Sequence, residues 1–156
     1  MDESDYSYDD FPAAFEASFA RFQVQAEEAC ATRSDWPRRI AAAIRAGFEF
    51  AAADPASARL LAREALAAGP DGIARHQRLL AYIAEGLAPG RDESAEGAAL
   101  PELTEDAVAG GLVTLVAERL QPNRLGELPA LAPQAIEFVL TPYLGAAEAR
   151  RVAASG

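Results

Sequence analysis

Few residues in this chain can do covalent or acid–base chemistry. It holds one histidine, His76, and one cysteine, Cys30. Two such residues far apart in sequence do not make the cluster of ligands a zinc site needs, and a lone cysteine forms no internal disulfide. Carboxylates are plentiful, but pairs such as Glu27–Glu28 and Asp92–Glu93 stand in polar stretches. Nothing there would split their pKa values into a working acid and base. Gly110–Gly111 lies inside a helical pattern, not in the strand-to-helix loop that cradles a phosphate. The expectation is that the protein is not an enzyme and has no catalytic residues, no metal and no cofactor.

What remains is binding chemistry. Two polar side chains fall beside apolar rows. Glu64 follows Leu60 by one turn and Leu61 by three residues, and His76 precedes Leu79 and Leu80 by three and four residues. Each has the spacing to orient an apolar ligand through a hydrogen bond, the usual composition of a small-molecule pocket. The competing readings are an exposed Glu64 paired with an arginine and a half-exposed His76 at a helix rim. Tyr82 is a weaker candidate of the same kind.

The elements that must position these groups are helices. Apolar residues make up 51% of 156 residues, enough for one domain with a core. Alanine dominates, and alanine is the best helix former; aromatic and β-branched residues are too sparse for a large sheet. Every basic residue is arginine, and the net charge is −10. A duplex-binding surface needs clustered cations, and here Arg38–Arg39 and Arg150–Arg151 are isolated pairs. The acidic start, Met1-Asp2-Glu3-Ser4-Asp5, lacks the basic-then-apolar layout of a signal peptide. No apolar run approaches the roughly 20 residues that span a bilayer. The expectation is a cytoplasmic protein with no membrane partner.

Residues 1–10 read as a polar arm. Helix one is expected from about Phe11 to Ala31, with Phe11, Phe15, Phe19 and Phe22 on one core-facing stripe. Asp35 and Pro37 start helix two, which carries Trp36, Ile40, Ile44 and Phe48 in a row and runs to about Ala53. Asp54–Pro55 opens helix three, expected from about Ala56 to Ala68, and Gly69–Pro70 stops it. Helix four comes next and runs to about Leu87. Residues 88–103, rich in Gly, Pro, Glu and Ser, read as a mobile connection. Thr104 is expected to cap helix five, which ends near Gln121–Pro122, and helix six runs from about Leu128 to Tyr143. Residues 11–146 then form a six-helix, all-α bundle, and residues 147–156 a C-terminal tail.

Four stretches, in this order, resemble the regulatory domain of TetR-family transcriptional regulators, actinobacterial-type members in particular. They are Asp35-Trp36-Pro37-Arg38-Arg39-Ile40, Leu61-Ala62-Arg63-Glu64-Ala65-Leu66-Ala67-Ala68-Gly69-Pro70, Leu103-Thr104-Glu105-Asp106-Ala107-Val108-Ala109-Gly110-Gly111 and Pro142-Tyr143-Leu144-Gly145. The resemblance covers about residues 11 to 146. It implies that helix one is the linker helix, that helices one to five surround an effector cavity, and that helices five and six pair with a second subunit in a four-helix interface. The family's helix-turn-helix would precede Phe11, where this sequence has ten residues. DNA is therefore expected as a partner only if that reader is present in the full protein.

On this basis the cavity is expected to be lined by Phe22, Phe48, Leu61, Leu80, Ile83 and Leu115, with Glu64 and His76 as its polar groups. The homodimer face is expected at Gly110, Thr114 and Ala117 of helix five and at Leu131, Ala135 and Phe138 of helix six. Helix six is apolar almost all round, which calls for burial on every side. The functional expectation is the ligand-binding and dimerisation domain of a bacterial repressor that senses a small apolar effector. The alternatives are a helical interaction or scaffold domain without a ligand, or a truncated, dominant-negative partner of a full-length regulator.

Overall fold

A computed structural model describes residues 10–156, so the expected arm at 1–10 lies outside the described residues except for Asp10. The described residues are all-α, with no strand among them. Helix α1 spans Phe11–Ala31 and α2 spans Trp36–Ala53. Both local start signals around α2 act as their chemistry dictates. Asp35 accepts the Arg38 N–H at 3.0 Å, and Asp54 accepts the Ser57 N–H at 3.1 Å to open the next helix. Arg21 on α1 bonds to Asp54 at 3.0 Å and Ser18 to Ser57 at 3.1 Å, which ties α1 to the same corner.

The expected third helix is divided. It begins as α3, Pro55–Arg59, widens into a π-helical turn at Leu60–Glu64, and closes as α4, Ala65–Ala67. Gly69 then takes φ +76°, the left-handed conformation open to glycine, and α5 runs over Gly69–Leu87. It is followed by a 3₁₀ turn at Ala88–Asp92 and by α6 at Ala95–Ala98. Helix α7 is Thr104–Glu118 and α8 is Leu128–Leu144, entered through a 3₁₀ turn at Leu125–Glu127. A final helix, α9, spans Ala146–Ala154.

Four expectations are corrected. Residues 88–103 are not an open connection: Ser94 caps α6 by accepting the Gly97 N–H at 2.9 Å and donates to the Tyr143 carbonyl at 2.6 Å. Thr104 does not cap α7; it is the first helical residue, and its hydroxyl donates to the Pro101 carbonyl at 2.7 Å. The tail at 147–156 is mostly helical, with Ala149, Val152 and Ala153 buried and the Ala153 carbonyl held by Arg45 at 2.9 Å. Finally, the burial that helix six requires is supplied largely from within the subunit, because α2 and α9 both pack along α8.

The core runs through all the long helices. Phe15 and Phe19 of α1 are buried, as the aromatic stripe demands, and their ring centroids lie 6.0 Å apart. On α8 the row Leu128, Ala132, Ala135, Ile136, Val139, Leu140 and Tyr143 is buried.

One polar network lies inside this packing. Glu105 at the start of α7 receives both arms of the Arg91 guanidinium at 2.9 Å and the Tyr143 hydroxyl at 3.1 Å. Arg91 also donates to the Leu100 and Pro101 carbonyls at 2.8 and 2.7 Å. The hydrogen bonds from Arg91, opposed by burial, hold the Glu105 carboxyl below its ordinary value of 4.5. A depressed carboxylate pKa stabilises the fold fully at neutral pH; that contribution shrinks as pH falls below about 4.5 and is gone once pH drops through the lower folded value. The urea midpoint is therefore expected to fall as pH drops below about 4.5, and Glu105→Gln is expected to flatten that slope. An identical acid slope in the variant would remove Glu105 from the account.

Candidate functional site

The space between α1, α2, α5 and α7 is not filled. A cavity of about 400 Å³ opens there, whereas well-packed interiors rarely hold a void larger than one water molecule. Its size falls within the range of small-molecule sites, about 300–1,000 Å³.

Each wall is built from a helical row. α1 contributes Phe22, Ala26 and Cys30, the continuation of its aromatic stripe into smaller residues. α2 contributes Ile40, Ile44, Gly47 and Phe48. The π-helical turn brings Leu61 and Ala62 to the base, and α5 adds Leu79, Tyr82, Ile83 and Gly86. α7 closes the far side with Leu112, Val113 and Val116. None of residues 88–103 lines it. Ring contacts stiffen one wall: Phe22 meets Phe50 at 5.8 Å and Tyr82 at 6.1 Å, both edge to face.

The cavity is open where its lining residues are least buried. Glu85 and Gly86 of α5 are exposed there, and Cys30 of α1 is half-buried. Tyr82 donates its hydroxyl proton to Glu27 at 3.3 Å, bridging α1 and α5. Burial, then the Glu27 charge, pushes the Tyr82 phenol up to about 12. Burial also raises the Cys30 thiol above its ordinary value, so it is a weak nucleophile at neutral pH.

Of the expected ligand residues, Phe22, Phe48, Leu61 and Ile83 come together on the cavity wall. The other four are placed elsewhere. Glu64 is exposed on the widened turn. His76 is buried, but its Nδ1 lies 3.0 Å from the Leu61 carbonyl, and the ring borders a second recess beside Val113, Thr114 and Ala117. Leu80 and Leu115 are half-buried outside the lining. Sequence spacing does not single out Cys30, Gly47 or the small residues near them. The only signal for these is the loss of large side chains from the apolar rows of α1 and α2.

The expected dimer residues divide in a similar way. Thr114 and Phe138 are exposed, and Gly110, Ala117 and Leu131 are half-buried. Ala135 is 2% exposed and faces its own subunit's core, so it is withdrawn from any partner. The Phe138 ring covers Gly111: a side-chain carbon added at Gly111 would stand 3.9 Å from Phe138 Cε1.

Among the described residues no group of three or more His, Cys, Asp and Glu side chains is placed to hold a metal ion. No described helix is long and apolar enough to cross a membrane. No known protein family, curated protein or solved structure matches the chain.

Proposed function

We propose that the chain is a ligand-binding and dimerisation domain of the kind found in TetR-type transcriptional regulators, working in the cytosol. A small apolar molecule enters the cavity between α1, α2, α5 and α7, and a second copy of the chain packs on α7 and α8. The observation that carries this reading is the cavity itself, an unfilled apolar space ringed by rigid aromatic and aliphatic side chains. A ligand acts as an effector when it binds one conformation better than another. α1 lines the cavity and is also the segment that would lead to a DNA-reading unit, so movement of α1 is the route by which occupancy is felt. With a net charge of −10, this domain contributes dimerisation and sensing rather than phosphate contacts. Thermal unfolding in a panel of apolar small molecules tests the reading, since a ligand bound only to the folded state raises the midpoint with its concentration. A flat response across the panel would refute it.

The pairing has separate support. Leu103, just before α7, and Phe138 on α8 are 66% and 54% exposed, and Gly110, Gly111 and Leu131 lie half-buried on α7 and α8. A side chain added at Gly110 would meet nothing within 4 Å. A glycine in a helix interior costs about 1 kcal/mol relative to alanine, and close approach of a second helix gives it a purpose that the subunit alone does not. Phe138→Ala is expected to weaken self-association about tenfold, the loss of one hot-spot aromatic, while the exposed position leaves the fold intact. Sedimentation equilibrium reads this, and a wild-type monomer at all concentrations would end the dimer reading.

A further inference from the structure

The polar groups around the cavity are concentrated where α1 and α5 are bridged, and a count of their hydrogen bonds limits what a ligand can bring. Tyr82 has one hydroxyl proton, and it goes to Glu27. With the phenol pushed up to about 12, that proton stays in place at neutral pH. The Cys30 thiol donates to the Arg39 carbonyl at 3.5 Å. The Gly86 carbonyl already accepts from Trp36 Nε1 at 3.0 Å. Glu85 comes one turn after Tyr82 on α5 and is an exposed carboxylate on the lining. Arg39 points its Nε at the Arg33 carbonyl at 3.0 Å, and no arginine is part of the wall. What this end offers a newcomer is therefore acceptors: the Tyr82 oxygen and the Glu85 carboxylate on the wall, with the exposed Glu27 carboxylate behind Tyr82. Ionised carboxylates can only accept.

We infer that the cavity selects apolar molecules ending in a hydrogen-bond donor, an alcohol or a protonated amine, and turns away carboxylates of the same length. This rests on the cavity being a ligand site, as proposed above. A donor head satisfies the acceptors while its tail occupies the apolar space. A carboxylate head brings only further acceptors and a like charge beside Glu85, and leaves the Tyr82 oxygen without a donor, which weakens binding roughly tenfold.

The test uses the full chain with three probes of equal tail length at neutral pH: 1-decanol, decylammonium and decanoate. Two readouts are taken. One is the thermal midpoint. The other is the rate of alkylation by N-ethylmaleimide at Cys30, the chain's single cysteine and part of the wall. Decanol and decylammonium are expected to raise the midpoint and to slow alkylation, with decanoate at least about tenfold weaker. The double variant Glu27→Gln, Glu85→Gln, at two exposed positions, supplies amide donors and is expected to close that gap. Decanoate binding as well as decanol overturns the inference and leaves the ligand site standing. So does a gap that survives in the double variant, whereas stabilisation without protection of Cys30 places the ligand outside the cavity and overturns both readings. If none of the three probes binds, the ligand-site reading falls and the inference falls with it.

Discussion

Replacing Gly90 with alanine is expected to destabilise the fold by about 3 kcal/mol. Gly90 is buried in the 3₁₀ turn after α5, beneath the Trp36 and Tyr143 rings. An added Cβ would overlap the six-membered ring of Trp36 and stand 2.8 Å from Tyr143 Cδ1. The two rings already meet edge to face with centroids 5.2 Å apart, and neither is free to retreat. Trp36 is pinned by its Nε1–H bond to Gly86. Tyr143 is fully buried and held by Glu105. Overpacking costs about 1–3 kcal/mol, and displacing the Tyr143 ring adds a broken buried hydrogen bond to Glu105 of about 1–3 kcal/mol. Urea unfolding reads this directly: the midpoint falls while the slope, set by the surface exposed, is unchanged. The same variant is expected to speed alkylation of Cys30, because Trp36 fixes the start of α2 to α5 beside the open end of the cavity. A loss below about 1 kcal/mol would show that the turn adapts and that the Trp36–Tyr143 packing does not govern it.

That prediction concerns a part of the molecule the sequence disguised. Residues 88–103 carry every local mark of a loop, and local marks register turns, not tertiary ties. What orders this stretch is Arg91, whose donors reach Leu100, Pro101 and Glu105, and Ser94, which reaches the Tyr143 carbonyl. The Arg91 partners lie 9 to 14 residues on and the Ser94 partner 49 residues on, and neither spacing belongs to a periodicity that can be read. Helix α9 was hidden for a related reason: nine residues form a helix of marginal stability by themselves, and its buried face acquires meaning only against α2 and α8. By contrast, the starts of α2 and α3 and the stop at Gly69 were legible because each depends on a side chain or dihedral within a few residues.

The candidate site divides along the same line. Phe22, Phe48, Leu61 and Ile83 belong to regular apolar rows and were readable from spacing. Glu64 would face the cavity only in a regular α-helical turn, and His76, on the next helix, α5, has the spacing but not the facing. Glu64 is itself the last residue of the π-helical turn at Leu60–Glu64, where the extra residue per turn changes the facing of its side chain. Glu64 is left in solvent, and His76 meets the Leu61 carbonyl in place of the cavity.

Gly47 is where stability and binding are expected to separate. It lies in the interior of α2, half-buried on the cavity wall. A side-chain carbon added there would stand 3.4 Å from Phe22 Cε2, a tight but tolerable contact with an edge that itself borders empty space. Glycine in a helix interior is about 1 kcal/mol worse than alanine, partly because it leaves the unfolded chain more freedom. Gly47→Ala is thus expected to raise unfolding stability by about 0.5–1 kcal/mol and to weaken apolar ligands severalfold. Gly47→Leu is expected to place a branched side chain in the cavity and to reduce binding by about a hundredfold, about 2.8 kcal/mol at 1.4 kcal/mol per decade, while the fold is retained. The opposite signs are the point: a residue that only packed a core would gain or lose in both measurements together, whereas one that keeps space open trades one for the other. Calorimetric titration with decanol beside urea unfolding of both variants supplies the two numbers. Binding untouched by Gly47→Leu would mean that the ligand occupies some other part of the molecule.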